Sequence, residues 1–514
     1  MTLLAHSPRG DVPAQAYQEH IENVRLLAEA NAKRATAFHK GDYDQFIDAV
    51  EAAALYHDLG KLDEANQEVL QRKSYDPLRV AHEDAGVAEL LTLRRREAAV
   101  LVAAHHAGLF NQSDEMSKRA KAFRNCDVAD HVDVKLGAYT SLHEQSGCPS
   151  LGWIEARQLH KCGFTRRVAL SCLVDADHSD TARHYGSELP RSSDNQRWEE
   201  RLKALDRYVA SLPQGDSGQE QKRNELRRRV YEACRSAHIQ PALRSCDAPV
   251  GAGKTTAVMA HLLGVAKHKS LRHIFVVLPY TSIIKQSVDI YRKALVLPGE
   301  RPEDVVAEHH HQADFEDASL RQLATLWRAP IIVTTAVQFF ETLASHHPAR
   351  LRKLHELPGS AVFVDETHAA IPSHLWPQVW RWFETWVTEW GGHIVLASGS
   401  LPRFWELEEF VNPPKKASEV PDLLPTSLRH ELEVAESRRI VSRRKVEPFD
   451  CEGLIEWVSQ AQGPRLLILN TVQSAAVVAD KMRKAEHDVL HISTALAPAH
   501  RNAIVKRVQQ RLDK

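Results

Sequence analysis

The sequence predicts a multidomain chain, an all-α region followed by an α/β region on an open parallel sheet, and three observations carry that prediction. Up to about residue 205 the apolar residues recur at three- and four-residue spacing, the period of helices with one buried face. Beyond about residue 240 the texture changes to short β-branched runs, each followed by a helical stretch, as in buried parallel strands covered on both sides. The length, 514 residues, exceeds one ordinary domain and calls for several cores.

Taken in order, the helical part (1–205) contains "AYQEHIENVRLLAEANAKRATAFH", "YDQFIDAVEAAALYH", "AHEDAGVAELLTL", "REAAVLVAAHHAGLF" and "TRRVALSCLVDADHSDTARHY". The stretch "SLPQGDSGQEQKRNELRRRVYEAC" is polar and then a charged helix, so residues 206–240 are expected to form an exposed connector. The runs "HIFVVLP", "PIIVTT", "SAVFVDE" and "HIVLAS" supply strands of a unit spanning 241–435, and "RLLILN" a strand of a further one over 436–514. "LRSCD", ahead of them, is a poor strand by composition.

Composition narrows the function classes. With 66 Lys and Arg against 67 Asp and Glu the net charge is −1, so no global field draws in nucleic acid. Basic runs at Arg94–Arg96, Arg227–Arg229 and Arg443–Lys445 read as solvated helix faces. No run of roughly 18 apolar residues offers a membrane span. "MTLLAHSPRG" lacks the features of a secretory signal, so the chain is expected in the cytoplasm with no membrane partner. Seven cysteines without a C-x-x-C pair argue against a zinc ribbon or a disulfide framework. Histidine stands out: there are 29, many before residue 185, and that enrichment asks for a chemical reason.

"APVGAGKTTA" (Ala248–Ala257) places Gly251, Gly253, Lys254, Thr255 and Thr256 at the opening of a helix. Backbone N–H groups at such a turn surround phosphate oxygens, the lysine neutralises charge and Thr255 supplies a hydroxyl to magnesium. Ala248 stands where a strict phosphate-loop pattern has its first glycine. "AVFVDETHAA" then puts Asp365 and Glu366 at the end of an apolar strand, where a phosphate cleft has its acidic pair. In an ATPase, Asp365 would hold Mg2+ and Glu366 would polarise the attacking water.

With these motifs the sequence resembles a superfamily 2 helicase. "VLPYTSIIKQ", "VTTAVQFFETL", "ASGSLP", "LLILNTVQSA" and "HISTALAPAHR" follow in that family's order. The resemblance implies a first RecA-like domain over 241–435 and a partial second one over 436–514. It makes Thr281, Thr334 and Thr335 candidate contacts to a nucleic-acid strand. It also makes "ASGSLP" the element coupling ATP hydrolysis to strand movement, with Gly399 and Ser400 where the family usually has alanine and threonine. The family's later nucleotide-sensing motif and arginine finger are not seen before Lys514. A fragment, an interrupted gene and a partner chain carrying the rest are the expected explanations.

The histidines suggest a two-metal hydrolase, which needs nitrogen and carboxylate ligands converging from several helices. Candidates are His20, His57 and Asp58 in "LYHDLGK", His82, His105 and His106 in "VAAHHAG", and Asp177 in "LVDADHSD". Each falls in a largely apolar helical context, where ligation would offset the cost of burying a polar group. Lys61 is a candidate for stabilising phosphodiester charge, and His6 for lining the site. The series resembles the HD phosphohydrolase superfamily, which implies one metal held by the adjacent pair and a late aspartate, with the other histidines completing a second. That resemblance favours Asp177 over the nearby Asp175. "EHHHQADF" (Glu308–Phe315) is a lesser metal candidate.

An HD domain followed by a superfamily 2 helicase resembles the CRISPR-associated helicase-nuclease of type I systems. The resemblance implies a nuclease that cuts single-stranded DNA with two transition-metal ions (Fe, Mn, Co or Ni). It further implies an ATP- and Mg2+-dependent 3′ to 5′ helicase that feeds the nuclease, recruited by an RNA-guided surveillance complex. Two other readings stand beside it: an HD phosphohydrolase acting on nucleotides, and an incomplete helicase that binds nucleic acid without motor activity.

Overall fold

The helical period of the first part is realised in α1 (Tyr17–Thr36), α2 (Asp44–Tyr56), α3 (Glu64–Leu70), α4 (Glu83–Thr92), α5 (Arg96–Ala107), α6 (Gln112–Ser117), α7 (Ala129–Gln145) and α8 (Gly163–His184). The computed structural model describes residues 2–512 except 42, 73–75, 155–162, 188–195, 214, 310–324, 408–419 and 438–443. It forms two units, Met1–Glu436 and Ser437–Lys514. Along α1, Tyr17, Ile21, Val24, Ala28, Ala32 and Ala35 are buried at three- and four-residue steps and face α2 and α8. A short antiparallel pair, β1 (Leu4–His6) and β2 (Gln15–Ala16), was not expected in an all-α region. It is held because the Gln67 side chain bonds both the N–H and the C=O of Leu4.

Close backbone approaches lock these helices. A Cβ at Gly86 on α4 would stand 2.0 Å from the Tyr56 carbonyl oxygen at the end of α2. Gly86→Ala is therefore expected to destabilise the unit by about 1–3 kcal/mol, read as a lowered thermal or urea midpoint.

The second part carries a six-stranded parallel sheet: β3 (Leu243–Asp247), β4 (Ile274–Leu278), β5 (Val306–His309), β6 (Ile331–Thr335), β7 (Ala361–Val364) and β8 (His393–Ser398), in the order β3-β8-β7-β4-β6-β5. The poor strand "LRSCD" is β3. It forms because Leu243 and Cys246 are buried while Ser245 and the Asp247 N–H find partners on Asp422, in a segment covering the sheet edge. β5 was missed, being short and interrupted by Glu308.

On one side of the sheet α9 (Trp198–Ala210), α10 (Gly218–Ser236), α11 (Lys254–Lys269) and α12 (Thr281–Leu295) pack on it or on each other. The expected exposed connector, 206–240, is in part a packed element. Leu226, Val230 and Cys234 recur at four-residue steps and bury one stripe of α10 beside α11, while its charges face water.

One apolar core runs through the helical bundle and along one face of the sheet. Trp390, just before β8, lies with ring centroids 5.6 Å from Phe46 of α2 and 6.1 Å from Phe164 of α8. A second core fills the space between the other sheet face and α9–α12.

The unit Ser437–Lys514 holds helices Cys451–Ser459, Val472–Lys484 and Pro498–Leu512, and no strand among its described residues. The strand expected at "RLLILN" does not form there, and Leu466 and Ile468 are 85% and 79% exposed. An isolated extended segment has no neighbour to pair its N–H and C=O groups.

Candidate metal centre and nucleotide cleft

Helix α2 ends at His57, and Asp58 (φ −110°, ψ 14°) turns the chain into a single 3-10 turn, Leu59–Leu62. That turn brings "HD" to the middle of the bundle, and Gly60 lets the segment before α4 come alongside. The Gly60 N–H donates to the His82 carbonyl at 3.0 Å, and a Cβ there would lie 2.5 Å from that oxygen. Buried Asn66 fastens both partners, donating to the carbonyls of Gly60 and Val80 and accepting from the N–H groups of Arg79 and Val80. His82 is thereby delivered to Asp58.

The donor atoms fall into two groups, His20–His57–Asp58 and His82–His105–His106, each within 4.8 Å. Asp58 reaches both: Oδ1 is 3.3 Å from His82 Nε2, while Oδ2 is 3.2 Å from His20 Nε2 and 3.4 Å from His57 Nε2. Asp177, from α8, lies 3.6 Å from His20 and 3.9 Å from His57. Asp175 points elsewhere, to Arg328 and Arg352. Lys61 Nζ is buried 2.6 Å from Asp58 Oδ2. His106, at the solvent edge, marks the open side, its Nε2 2.9 Å from that of His82.

Ring orientation is fixed by the nitrogens that do not face the centre. His57 Nδ1 donates to the Ala54 carbonyl at 2.8 Å and His105 Nδ1 to Val102 at 2.6 Å, which leaves both Nε2 lone pairs pointing inward. His105 Nε2 is buried with no hydrogen-bond partner. Burial lowers the pKa of His57 and takes that of His105 down to about 4, so both rings are neutral near pH 7. Burial also acts against ionised Asp58, but Lys61, then His57 and His20, outweigh it and hold the carboxyl well below the usual range. Neutral imidazoles around an ionised, shared carboxylate are the donor set of divalent transition metals, and an orphaned buried Nε2 fits such an ion.

His20 differs. Burial lowers its pKa, yet hydrogen bonds to Asp180 and Asp58 prevail and raise it to about 9. Asp180 takes the His20 Nδ1 proton at 2.7 Å and is steadied by Gln15 at 2.8 Å, a carboxylate–histidine pair behind the ligand. Asp180 was missed in the sequence, although its i+3 spacing from Asp177 on a helix was a usable signal. Asp180→Asn is expected to weaken divalent-metal affinity by roughly 10- to 100-fold, measured by Mn2+ titration. His6, brought in by β1, packs edge-on to His20 with centroids 4.7 Å apart.

At the carboxyl ends of the strands, Gly251 and Gly253 both have φ +83°, and Gly253 opens α11 with Lys254 next. Lys254 Nζ turns back on the loop and donates to the carbonyls of Ala248 (2.8 Å) and Pro249 (3.3 Å). Thr255 is in the first turn of α11 and Thr256 Oγ donates to the Gly253 carbonyl. Asp365 follows β7, and burial raises its pKa to about 6 against the opposing charge of Lys254. Glu366 sits in the left-handed region (φ +46°) and accepts from Ser398 Oγ at 3.2 Å, while His368 Nδ1 is 2.7 Å from the same hydroxyl. "ASGSLP" thus meets the acidic pair through Ser398 rather than through the replaced positions.

Two of the three candidate strand-contact threonines have internal partners. Thr334 is fully buried and donates to the His309 carbonyl, and Thr335 caps the helix Ala336–Ala344 by accepting from Gln338 N–H. Thr281 begins α12 at the sheet's carboxyl edge. Of the candidate stretch Glu308–Phe315, residues 310–315 lie outside the described residues.

A histidine–aspartate cluster on a helical bundle and a glycine loop with an acidic pair at the carboxyl ends of a parallel sheet stand together in one compact unit. The HD domain family model matches residues 17–132. A curated relative, the CRISPR-associated nuclease/helicase Cas3 of Haloferax volcanii, is 26% identical over 229 residues, covering 38% of this chain and 24% of that protein. The chain is similar to Cas3 over that stretch, which spans about a quarter of that relative's length. Among solved structures, T. fusca Cas3 with AMPPNP is 17% identical with TM-score 0.48, covering 87% of this chain and 53% of that one. T. fusca Cas3 itself gives 18% and 0.46 over the same shares. Among the described residues no helix is long and apolar enough to cross a membrane.

Proposed function

We propose that this chain cuts DNA as part of a CRISPR antiviral effector, with a metal-dependent nuclease on the helical bundle and an ATP-dependent helicase beginning at the sheet. Residues 1–205 are the nuclease domain, 241–435 the first RecA-like domain and 436–514 part of a second. The observation that supports this best is Asp58, whose two oxygens face two separate histidine groups. His20, His57, Asp58 and Asp177 would hold one divalent ion, and His82, His105 and His106, with the other Asp58 oxygen, a second. When bound, such ions supply Lewis acidity and a hydroxide from coordinated water.

The chain's own residues do the rest. Lys61, already paired with Asp58, adds a buried cation on which developing phosphoryl charge can rest. The open edge at His106 admits a backbone phosphate. In the ATPase cleft the α11 N-terminus, Gly251, Gly253 and Lys254 bind the triphosphate, Thr255 and Asp365 the magnesium, Thr256 closes the first turn, and Glu366 orients water. The substrate is single-stranded DNA, delivered 3′ to 5′ after recruitment by an RNA-guided type I surveillance complex. Incubating the chain and Mn2+ with end-labelled single-stranded DNA, duplex DNA and deoxynucleoside triphosphates tests the reading. Shortened single strands support it, and triphosphate turnover without strand cleavage replaces it with a nucleotide phosphohydrolase.

A further inference from the structure

We infer that Arg352 and Arg328, residues of the sheet-bearing part, are positioning residues for the metal centre, both gripping the face of α8 that lies opposite Asp177 and Asp180. At about 100° per residue, Asp175 and Ser179 fall on one side of this helix and Asp177 and Asp180 on the other. The contacts follow that division. On one face, Arg352 Nε donates to Asp175 Oδ1 at 2.8 Å and its terminal nitrogen to Ser179 Oγ at 3.0 Å. Arg328 donates to Asp175 Oδ2 at 2.9 Å, and the His355 N–H donates to Ser171 Oγ at 2.9 Å. On the other face Asp177 stands beside His20 and His57, and Asp180 holds the His20 Nδ1 proton.

Asp175 is 2% exposed, so its charge cannot turn to water when a guanidinium is removed. Without Arg352, Asp175 loses one of its two guanidinium partners and keeps Arg328, Asn31 Nδ2 and Ser179 Oγ, and a shift or rotation of α8 toward these donors carries Asp177 and Asp180 with it. Arg328 precedes β6, and Arg352 and His355 lie between the Ala336–Ala344 helix and β7, which leads into Asp365. The same stretch of chain therefore frames the ATPase acids and clamps the metal-bearing helix. The metal centre reaches its final ligand geometry only with the sheet docked.

This inference rests on the metal-centre reading but not on DNA as the substrate, and its test reads metal binding directly. Full-length wild type, Arg352→Gln and Arg352→Lys are titrated with Co2+ and followed by visible ligand-field absorption, with single-stranded DNA cleavage measured in parallel. Arg352→Gln is expected to weaken Co2+ binding by roughly 10-fold or more and to alter the band, with Arg352→Lys recovering much of both, as for groups that orient ligands from behind. Unchanged Co2+ affinity and spectrum in Arg352→Gln overturn the inference, whatever happens to thermal stability. Should that variant not fold, Arg328→Gln, which removes the other guanidinium from Asp175, is read by the same two outcomes. A wild-type chain that binds Co2+ but leaves DNA intact overturns the nuclease reading alone.

Discussion

Asp58→Ala is expected to reduce metal-dependent DNA cleavage to below about one-hundredth of wild type. Removing a group that merely orients a metal ligand costs 10- to 100-fold, and Asp58 is placed to ligate directly in both donor groups. The same change strands Lys61, a buried ammonium whose counter-charge is Asp58, and leaves His20, His57 and His82 without their shared carboxylate. Metal content, measured on the purified variant, should fall with activity. Retained metal together with unchanged cleavage would remove Asp58 from the centre. ATP hydrolysis should persist, because the cleft at the sheet uses none of these side chains.

Lys254→Ala is expected to show the converse. It removes the lysine that follows Gly253 at the start of α11, and losses of roughly 100-fold or more in ATP turnover are typical when a preorganised charge donor leaves such a site. Its native bonds to the Ala248 and Pro249 carbonyls are buried and part-buried, so some loss of thermal stability is expected alongside the loss of turnover. Cleavage of DNA that is already single-stranded should continue, while any ATP-dependent processing of duplex DNA stops. ATP turnover that persists at the wild-type rate would show that the loop is not the hydrolytic site.

Much of this was readable in the sequence because the relevant signals are local. Helical spacing marked α1, α2, α4, α5 and α8, and apolar runs marked four of the six strands. The phosphate loop and the acidic pair are contiguous words of sequence, and the structure brings them to one sheet edge. The candidate metal ligands were nameable one at a time, yet their partition into two groups about Asp58 depends on how five separate segments converge. Asp175 and Asp177 are near-equivalent as text, and only the packing of α8 between the bundle and the sheet separates an arginine partner from a neighbour of His20. Asn66 and Gly60 carried no chemical flag, since their task is to hold the His82 backbone. β3 looked too polar because its partner, Asp422, lies far along the chain. "RLLILN" looked like a strand because composition records β-propensity but not the presence of a neighbour.

The shared core has a consequence for what counts as a domain in this protein. Trp390 is seated between Phe46 and Phe164, so cutting the chain in the 206–240 region would expose the aromatic surface of both pieces to water. The HD match over residues 17–132 is thus a unit of descent, whereas the compact unit that shares one core extends from the first helices through the sheet. Ancestry and folding draw their borders in different places here.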